Sequence, residues 1–248
     1  MPFTDLMYKG FLGAFLETEG TKTGAGFFAL VVAGFLVMTI LPYLLGSLNF
    51  GIIISKAVYR EDIRNYGSGN AGMTNMLRTY GKGSAVITFL ADAMKAVVSV
   101  LIGRLVFGII GAYVAGVSCV LGHIFPVFYG FKGGKGVVTV GIMMFMTNWK
   151  VALVLLFVFV ILVAFTKYIS LGSVMAMLLY PLVLNRMNIP TIEQYPAPSI
   201  VYLFAIALTV VIVLKHTSNI KRLLAGTENK LSFSKKDKKP SVDGKAEK

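Results

Sequence analysis

Two stretches of this sequence carry residue types that can hold an anion. The first comprises Arg64, Gly67-Ser68-Gly69-Asn70, Gly72, Thr74-Asn75 and Arg78, with Gly46-Ser47 upstream. Glycines interleaved with Ser, Asn and Thr let the backbone turn its N–H groups toward one point. Such a nest flanked by arginine holds phosphate oxygens with no bulky side chain in the way. Taken alone, the same residues equally suit a plain turn between helices, because Gly and Asn are default turn residues. The second stretch is Gly122-His123-Ile124-Phe125-Pro126, then Phe131-Lys132-Gly133-Gly134-Lys135-Gly136-Val137. A Gly-Gly-Lys-Gly run that opens a helix places free amides, the positive end of the helix dipole and a lysine at one spot. A basic loop serving only topology explains Lys132 and Lys135 but not the glycines between them. The Gly-x4-Gly-Lys-Ser/Thr spacing of a nucleotide-hydrolysing loop is absent.

Further polar residues sit within or at the ends of apolar runs. Asp92 and Lys95, three apart on one helix face, are expensive in hydrocarbon unless paired or facing a polar cavity. A mutual ion pair and a substrate-facing Lys95 held by Asp92 are compatible readings. The two histidines, His123 and His216, each close an apolar run, where structural, acid–base and phosphate-contacting roles are all open. Ser170 lies in the connection Lys167 to Ser173, and Asn219 and Glu228 follow His216. No Cys/His metal pattern and no cation-cage carboxylate spacing is present, so neither metal nor cofactor is expected. The single cysteine, Cys119, reads as packing and permits no intrachain disulfide.

The elements that must position these residues follow from composition. The chain is 56% hydrophobic and 14% charged, with mean hydropathy +0.76. A soluble domain carries charge nearer about a quarter of its residues, so the bilayer is the expected solvent and the fold class an all-α polytopic membrane protein. Apolar runs near the ~20 residues that cross a bilayer core fall at about 26–54, 84–103, 105–122, 136–149, 151–166, 170–186 and 199–214. The fourth and fifth are short and separated only by Trp149 and Lys150, so they form either a tight hairpin or one long tilted helix. Charge arbitrates for seven spans. With seven, eighteen Lys and Arg face one side and five the other, which predicts an outer N-terminus and a cytoplasmic C-terminus. All the glycine-rich polar sequence then lies on the cytoplasmic face. Residues 1–25 read as a short extension without the signature of a cleaved signal peptide, 26–228 as one transmembrane domain, and 229–248 as a basic, disordered tail.

The net charge of +13 does not point to nucleic acid, because ten of the twenty-four Lys and Arg lie from Lys215 onward. Beside a membrane such a tail sets topology and meets anionic lipid. A small transporter for an anionic metabolite is the alternative function. It predicts polarity across the full membrane depth and an internal repeat, and neither is visible. A lipid-binding scaffold leaves the glycine motifs without a job. Oligomeric state is not legible.

Taken in order, the motifs resemble a known family. Gly46-Ser47 with Gly51, Asp62-Ile63-Arg64, Gly67 to Asn75 and Leu77 to Lys82 resemble the first motif region of the bacterial acyl-phosphate:glycerol-3-phosphate acyltransferases of the PlsY type. Gly122-His123 to Pro126 with Phe131 to Val137 resembles the second. Ser170 to Ser173, then His216, Asn219-Ile220, Arg222, Gly226 and Glu228, match the remainder. Asn49 departs from a usual proline and Lys215 from a usual arginine. The resemblance implies a multi-pass enzyme of the bacterial cell membrane with its site at the cytoplasmic face. It implies transfer of a fatty acyl group from acyl phosphate to the 1-hydroxyl of glycerol 3-phosphate, giving lysophosphatidic acid. It further implies phosphate contacts from Ser47, Arg64, Asn75, Lys95, Lys132, Lys135, Ser170 and His216, with backbone help from Gly67, Ser68, Gly69, Asn70, Gly133, Gly134 and Gly136. His123 and Asn219 would polarise or orient the reacting groups and Glu228 would position a basic neighbour. No sequence feature identifies a general base, and a phosphate oxygen of the substrate can take the proton itself.

Overall fold

The computed structural model describes residues 9–15, 25–187 and 198–231. Most of the N-terminal extension, the connection ahead of the last expected span and the expected tail beyond residue 231 lie outside the described residues. All regular structure among the described residues is helical. In lipid this is the form that satisfies every backbone N–H and C=O within one segment. Beyond a helical segment over residues 9–15, the helices are α1 (Ala25–Ser47), α2 (Phe50–Tyr59), α3 (Met73–Tyr80), α4 (Lys82–Ile124), α5 (Val137–Thr147), α6 (Trp149–Thr166), α7 (Ile169–Arg186), α8 (Pro198–Lys215) and α9 (Thr217–Leu224). Single 3-10 turns occupy Ile63–Asn65 and Val127–Tyr129.

Among the described residues, four stretches are long and apolar enough to cross a membrane: Gly26–Tyr59, Lys82–Tyr129, Trp149–Thr166 and Ile169–Arg186. The pair Ile200–Lys215 and Thr217–Leu224, bent by 58°, makes a fifth when the two are taken as one broken span. The second of these holds two of the expected spans. Phe107 (φ −128°, ψ 33°) and Gly108 (φ 57°, ψ −137°) leave helical space inside α4, a conformation that glycine adopts without strain. The two arms then run back side by side. Gly103 meets Gly111 so closely that a Cβ on Gly103 would lie 2.0 Å from the Gly111 carbonyl oxygen. Further along, the Lys95 carbonyl faces Cys119, and Asp92 lies 3.6 Å from the His123 ring.

Two expected spans differ in form. The first is broken at Leu48-Asn49, where Asn49 takes an extended backbone (φ −88°, ψ 100°) before α2 begins. The fourth is α5, whose 11 residues reach about 16 Å at the usual helical rise, roughly half the apolar core. Gly136, left-handed at φ 77°, starts α5, and Asn148 (φ −154°, ψ 81°) ends it. The fourth and fifth stretches are therefore two helices, not one long one.

Glycines let these helices touch through their backbones, as small residues do where lipid supplies no hydrophobic drive between helices. A Cβ at Gly46 would sit 2.1 Å from the Cys119 carbonyl oxygen, and one at Gly122 2.1 Å from that of Tyr43, so α1 lies directly on the second arm of α4. Gly116 accommodates Met143 of α5, and Gly172 of α7 accommodates Phe159 and Val163 of α6. Thr209 of α8 donates to the Met177 carbonyl of α7 at 2.9 Å. The main core centres on Tyr113, Met143, Tyr180, Leu208 and Ile212, and a smaller one of Ile52, Ile63, Ala71 and Met76 underlies the first glycine loop.

Gly46→Leu is expected to destabilise by more than the ~1–3 kcal/mol usual for core overpacking, since it meets backbone. Gly141→Ala, with nothing within 4 Å of its added Cβ, should be neutral or raise stability by up to ~1 kcal/mol. Thermal unfolding in detergent measures both, and equal melting temperatures would contradict the backbone contact.

Candidate active site

The break in the first helix frees backbone carbonyls, and a buried charge uses them. Lys95 donates from Nζ to the Gly46 carbonyl at 2.9 Å and to that of Leu48 at 2.7 Å. It also pairs with the Asp92 carboxylate at 2.7 Å and meets His123 Nδ1 at 2.9 Å. An ammonium has three N–H donors, so these four partners leave none for a phosphate. Lys95 is thus 5% exposed and internally satisfied, unlike the phosphate contact expected for it. Asp92, which pairs with Lys95 and faces His123, belongs to this node although it was not among the expected site residues.

His123 carries the node to the second glycine loop. With Nδ1 accepting from the Lys95 ammonium, the neutral ring has its proton on Nε2. A Cβ at Gly134 would lie 2.1 Å from that nitrogen, and one at Gly133 2.1 Å from the His123 carbonyl oxygen. The same carbonyl accepts from the Gly134 N–H at 3.1 Å and from the Asn49 side-chain amide at 3.3 Å. Gly133 and Gly134 are therefore needed for close approach, and their N–H groups point into the loop. His123 is walled in rather than open to a reacting group.

Beyond these glycines the chain turns Lys135 toward a second cluster. Its Nζ bonds to Asn219 Oδ1. Asn219 donates to Glu228 Oε1 at 2.6 Å, and so does Ser170 at 2.9 Å, while Arg222 Nε donates to Oε2 at 2.7 Å. The last helix and the following turn thereby wrap one carboxylate. Burial alone would raise the Glu228 carboxyl, but the hydrogen bonds from Asn219, Arg222 and Ser170 outweigh it and hold it below the usual range. Burial brings the Lys135 ammonium down to about 8; Glu228 opposes this, and the nearby charges of Arg222 and Arg78 add to it. Arg78 also donates to the Asn229 carbonyl at 3.3 Å. Three cations thus converge against a single carboxylate, beside first-turn N–H groups of α5 that have no intrahelical partner.

His216 borders this cluster, 2% exposed. Its Nδ1 lies 2.8 Å from the Ile212 carbonyl, which can only accept, so Nδ1 bears the proton and Nε2 a lone pair. Burial lowers its pKa to about 4, so the ring is neutral at physiological pH.

The first glycine loop is organised by its own side chains. Asn75 donates to the carbonyls of Ile63 (3.2 Å) and Tyr66 (2.9 Å) and accepts from the Ser68 N–H (2.9 Å). Gly69 donates to Tyr66, and Gly67 and Gly69 take φ values of 56° and 71°. Arg64 is gripped by Asp62 through Nε (3.0 Å) and Nη2 (2.8 Å). Its Nη1 donates to the carbonyls of Tyr129 (3.1 Å) and Lys132 (2.9 Å). The hydrogen bond from Arg64 holds the Asp62 carboxyl below its ordinary value. Ser47 donates to the Tyr43 carbonyl and accepts from Val127 N–H, so it ties α1 to the second loop.

Of the expected residues, Lys135, Ser170, Asn219 and Glu228 meet directly, with His216 alongside. Ser47, Arg64, Asn75, Lys95 and His123 shape the loops through internal bonds, and the Lys132 side chain faces outward. Asp62 and Arg222 also hold functional neighbours. The Asp62-x-Arg64 spacing is a legible signal for the first, whereas the Arg222–Glu228 pair depends on the turn at Gly226 (φ 68°).

The profile of a family described as glycerol-3-phosphate acyltransferase matches residues 36–226. A glycerol-3-phosphate acyltransferase of Finegoldia magna is 42% identical over 200 residues, covering 79% of this chain and 96% of the relative. One of Clostridioides difficile is 39% identical over 210 residues, covering 82% and 98%. Among solved structures, PlsY (YgiH), an integral membrane glycerol 3-phosphate acyltransferase, is similar in its glycerol 3-phosphate form. The TM-score is 0.72 at 38% identity, over 80% of this chain and 96% of that one. Its lysophosphatidic acid form gives 0.69 at 36% identity.

Lys95→Met leaves the Asp92 carboxylate buried and unpaired, which should cost about 3–5 kcal/mol. Adding Asp92→Asn should recover part of that loss. A double-mutant cycle by thermal unfolding checks this, and simple additivity would remove the ion pair from the account.

Proposed function

The chain belongs to the glycerol-3-phosphate acyltransferase family, and from that membership we propose its reaction in full. It is a multi-pass membrane enzyme that acylates glycerol 3-phosphate to lysophosphatidic acid. The donor is acyl phosphate, the acceptor atom is the 1-hydroxyl, and inorganic phosphate is released. The enzyme works in the bacterial cell membrane with residues 26–228 as one catalytic domain and its site on the cytoplasmic side, an orientation supported by the bias of positive charge.

The observation that carries this reading is the convergence of Lys135, Arg78 and Arg222 around the Glu228 cluster. Phosphate oxygens accept from Lys135 and from the free N–H groups opening α5, while Glu228 accepts from Ser170, Asn219 and Arg222 and so fixes these side chains around the site. A mixed anhydride already has a good leaving group, so the enzyme's task is to hold two anions in register and align a hydroxyl with a carbonyl carbon. The hydroxyl oxygen attacks that carbon, and the carbon–oxygen bond to phosphate breaks with its electron pair going to phosphate. A phosphate oxygen takes the hydroxyl proton. His216 Nε2, unprotonated, accepts a hydrogen bond from the neighbouring 2-hydroxyl of glycerol 3-phosphate, which orients the 1-hydroxyl for attack. In this assignment His216 takes the orienting part that sequence gave to His123, and His123 holds the loop in place.

Two outcomes test the proposal. Purified protein in lipid, given labelled glycerol 3-phosphate with palmitoyl phosphate or palmitoyl-CoA in parallel, should form lysophosphatidic acid only from the acyl phosphate. Lys135→Ala should lower kcat/KM at least ~100-fold, the range for losing a buried charged contact. Product from palmitoyl-CoA alone would overturn the donor. Because burial lowers the Lys135 pKa, its charge is present below about 8 and lost as pH rises through that value. The value of kcat/KM for glycerol 3-phosphate should therefore fall above pH of about 8, and Lys135→Arg should flatten that limb. An unchanged alkaline limb in Lys135→Arg would assign the titration elsewhere.

A further inference from the structure

On the outer side of the second loop lies an open depression of about 520 Å³ lined by Lys56, Asp62, Arg64, Phe128, Tyr129 and Lys132, among others. The acyl-transfer steps proposed above draw on none of these side chains. Three cations face it against the one carboxylate of Asp62, which is already held by Arg64 and lies 3.6 Å from Lys56. The Lys132 side chain makes no hydrogen bond or ion pair among the described residues. Arg64 commits four of its five N–H donors to Asp62 and two carbonyls, leaving one on Nη2. Lys56 and Arg64 also stand over the Tyr129 ring at 5.8 and 6.0 Å.

Phe128 of its lining is 54% exposed, and Val58 and Phe131, two and one positions along the chain from lining residues Lys56 and Lys132, are 65% and 57% exposed. Aromatic rings beside lysine and arginine at the end of apolar helices suit the headgroup boundary of a bilayer, where rings enter the acyl edge and cations meet phosphate. The volume falls within the ~300–1,000 Å³ of small-molecule sites.

We propose that this depression binds the phosphate headgroup of an anionic membrane phospholipid. The occupant is a resident lipid rather than a substrate. Its phosphate would sit between Lys56, Lys132 and the remaining Arg64 N–H, with the glycerol backbone against Phe128. Arg64 already holds the carbonyls of Tyr129 and Lys132, the residues that lead into Gly133 and Lys135. A lipid phosphate bound there fixes the same loop and so assists the anion site. This last consequence rests on the acyltransferase reading, whereas the binding does not.

The test is lipid retention by the intact detergent-purified protein, read by native mass spectrometry after exposure to equal phosphatidylglycerol and phosphatidylcholine. Wild type should keep phosphatidylglycerol at least fivefold over phosphatidylcholine. Lys56→Glu and, separately, Phe128→Ser should bring that ratio near one while keeping the wild-type melting temperature. No preference in the wild type, or a preference that survives both substitutions, would overturn the site. So would displacement of the lipid by a stoichiometric non-hydrolysable acyl phosphonate, which would give the depression to the donor. In nanodiscs, phosphatidylglycerol should lower KM for glycerol 3-phosphate at least threefold in wild type and not in Lys56→Glu. General surface charge acts in the opposite sense, since an anionic bilayer repels an anionic substrate. Retention without the KM effect would leave a lipid site uncoupled from the loop and overturn the coupling alone. Absent turnover with intact retention would instead count against the acyltransferase reading.

Discussion

An ammonium buried among apolar helices must be satisfied on every side, and that demand at Lys95 organises the chain around it. An isolated charge in such a medium is so costly that it would sooner lose its proton. Here the Asp92 carboxylate, two carbonyls freed by the break after Ser47, and a histidine ring nitrogen supply what water would have supplied. Each partner comes from a different piece of backbone. The helix break, the pairing of the two α4 arms and the placement of His123 are thereby fixed together. The cost of burying the charge is offset only when all three are in position.

From that node the order passes outward through contacts that exclude side chains. Gly133 and Gly134 close onto the carbonyl and ring of His123, and Gly46 and Gly122 let α1 lie against α4 backbone to backbone. The second loop can then carry Lys135 into a cluster built mainly by the last helix and Glu228, before Gly136 in a left-handed turn starts α5. The two clusters differ in kind. Around Lys95 the donors are all spent, which makes it a fastening. Around Lys135 the positive charges exceed the carboxylates, which suits the cluster to the anion-receiving part that the proposed function gives it.

Much of this was legible in the residues. Uninterrupted apolar runs gave away the helices because length and hydropathy are local properties, and Gly-Gly-Lys-Gly marked the start of α5. What sequence could not supply was which donors remain free. Lys95 read equally well as ion pair or phosphate ligand, and the choice depended on carbonyls of Gly46 and Leu48, nearly fifty positions away. The glycines of the second loop read as an amide nest, whereas much of their purpose is to admit the His123 ring. His216 and His123 were indistinguishable as lone histidines closing apolar runs, until the Ile212 carbonyl fixed the proton of one and Lys95 the tautomer of the other. The stretch at 136–149 was apolar enough to count as a span, but Asn148 ends it after eleven helical residues.

The most direct test of this division between fastening and receptor is to locate the phosphate itself, by cryo-electron microscopy or crystallography of the protein saturated with glycerol 3-phosphate in lipid. The account predicts phosphate density within hydrogen-bonding distance of Lys135 Nζ, between Arg78 and the Asn219–Glu228 cluster, with Lys95 still bound to Gly46, Leu48 and Asp92. Phosphate density on Lys95, with those bonds broken, would contradict it.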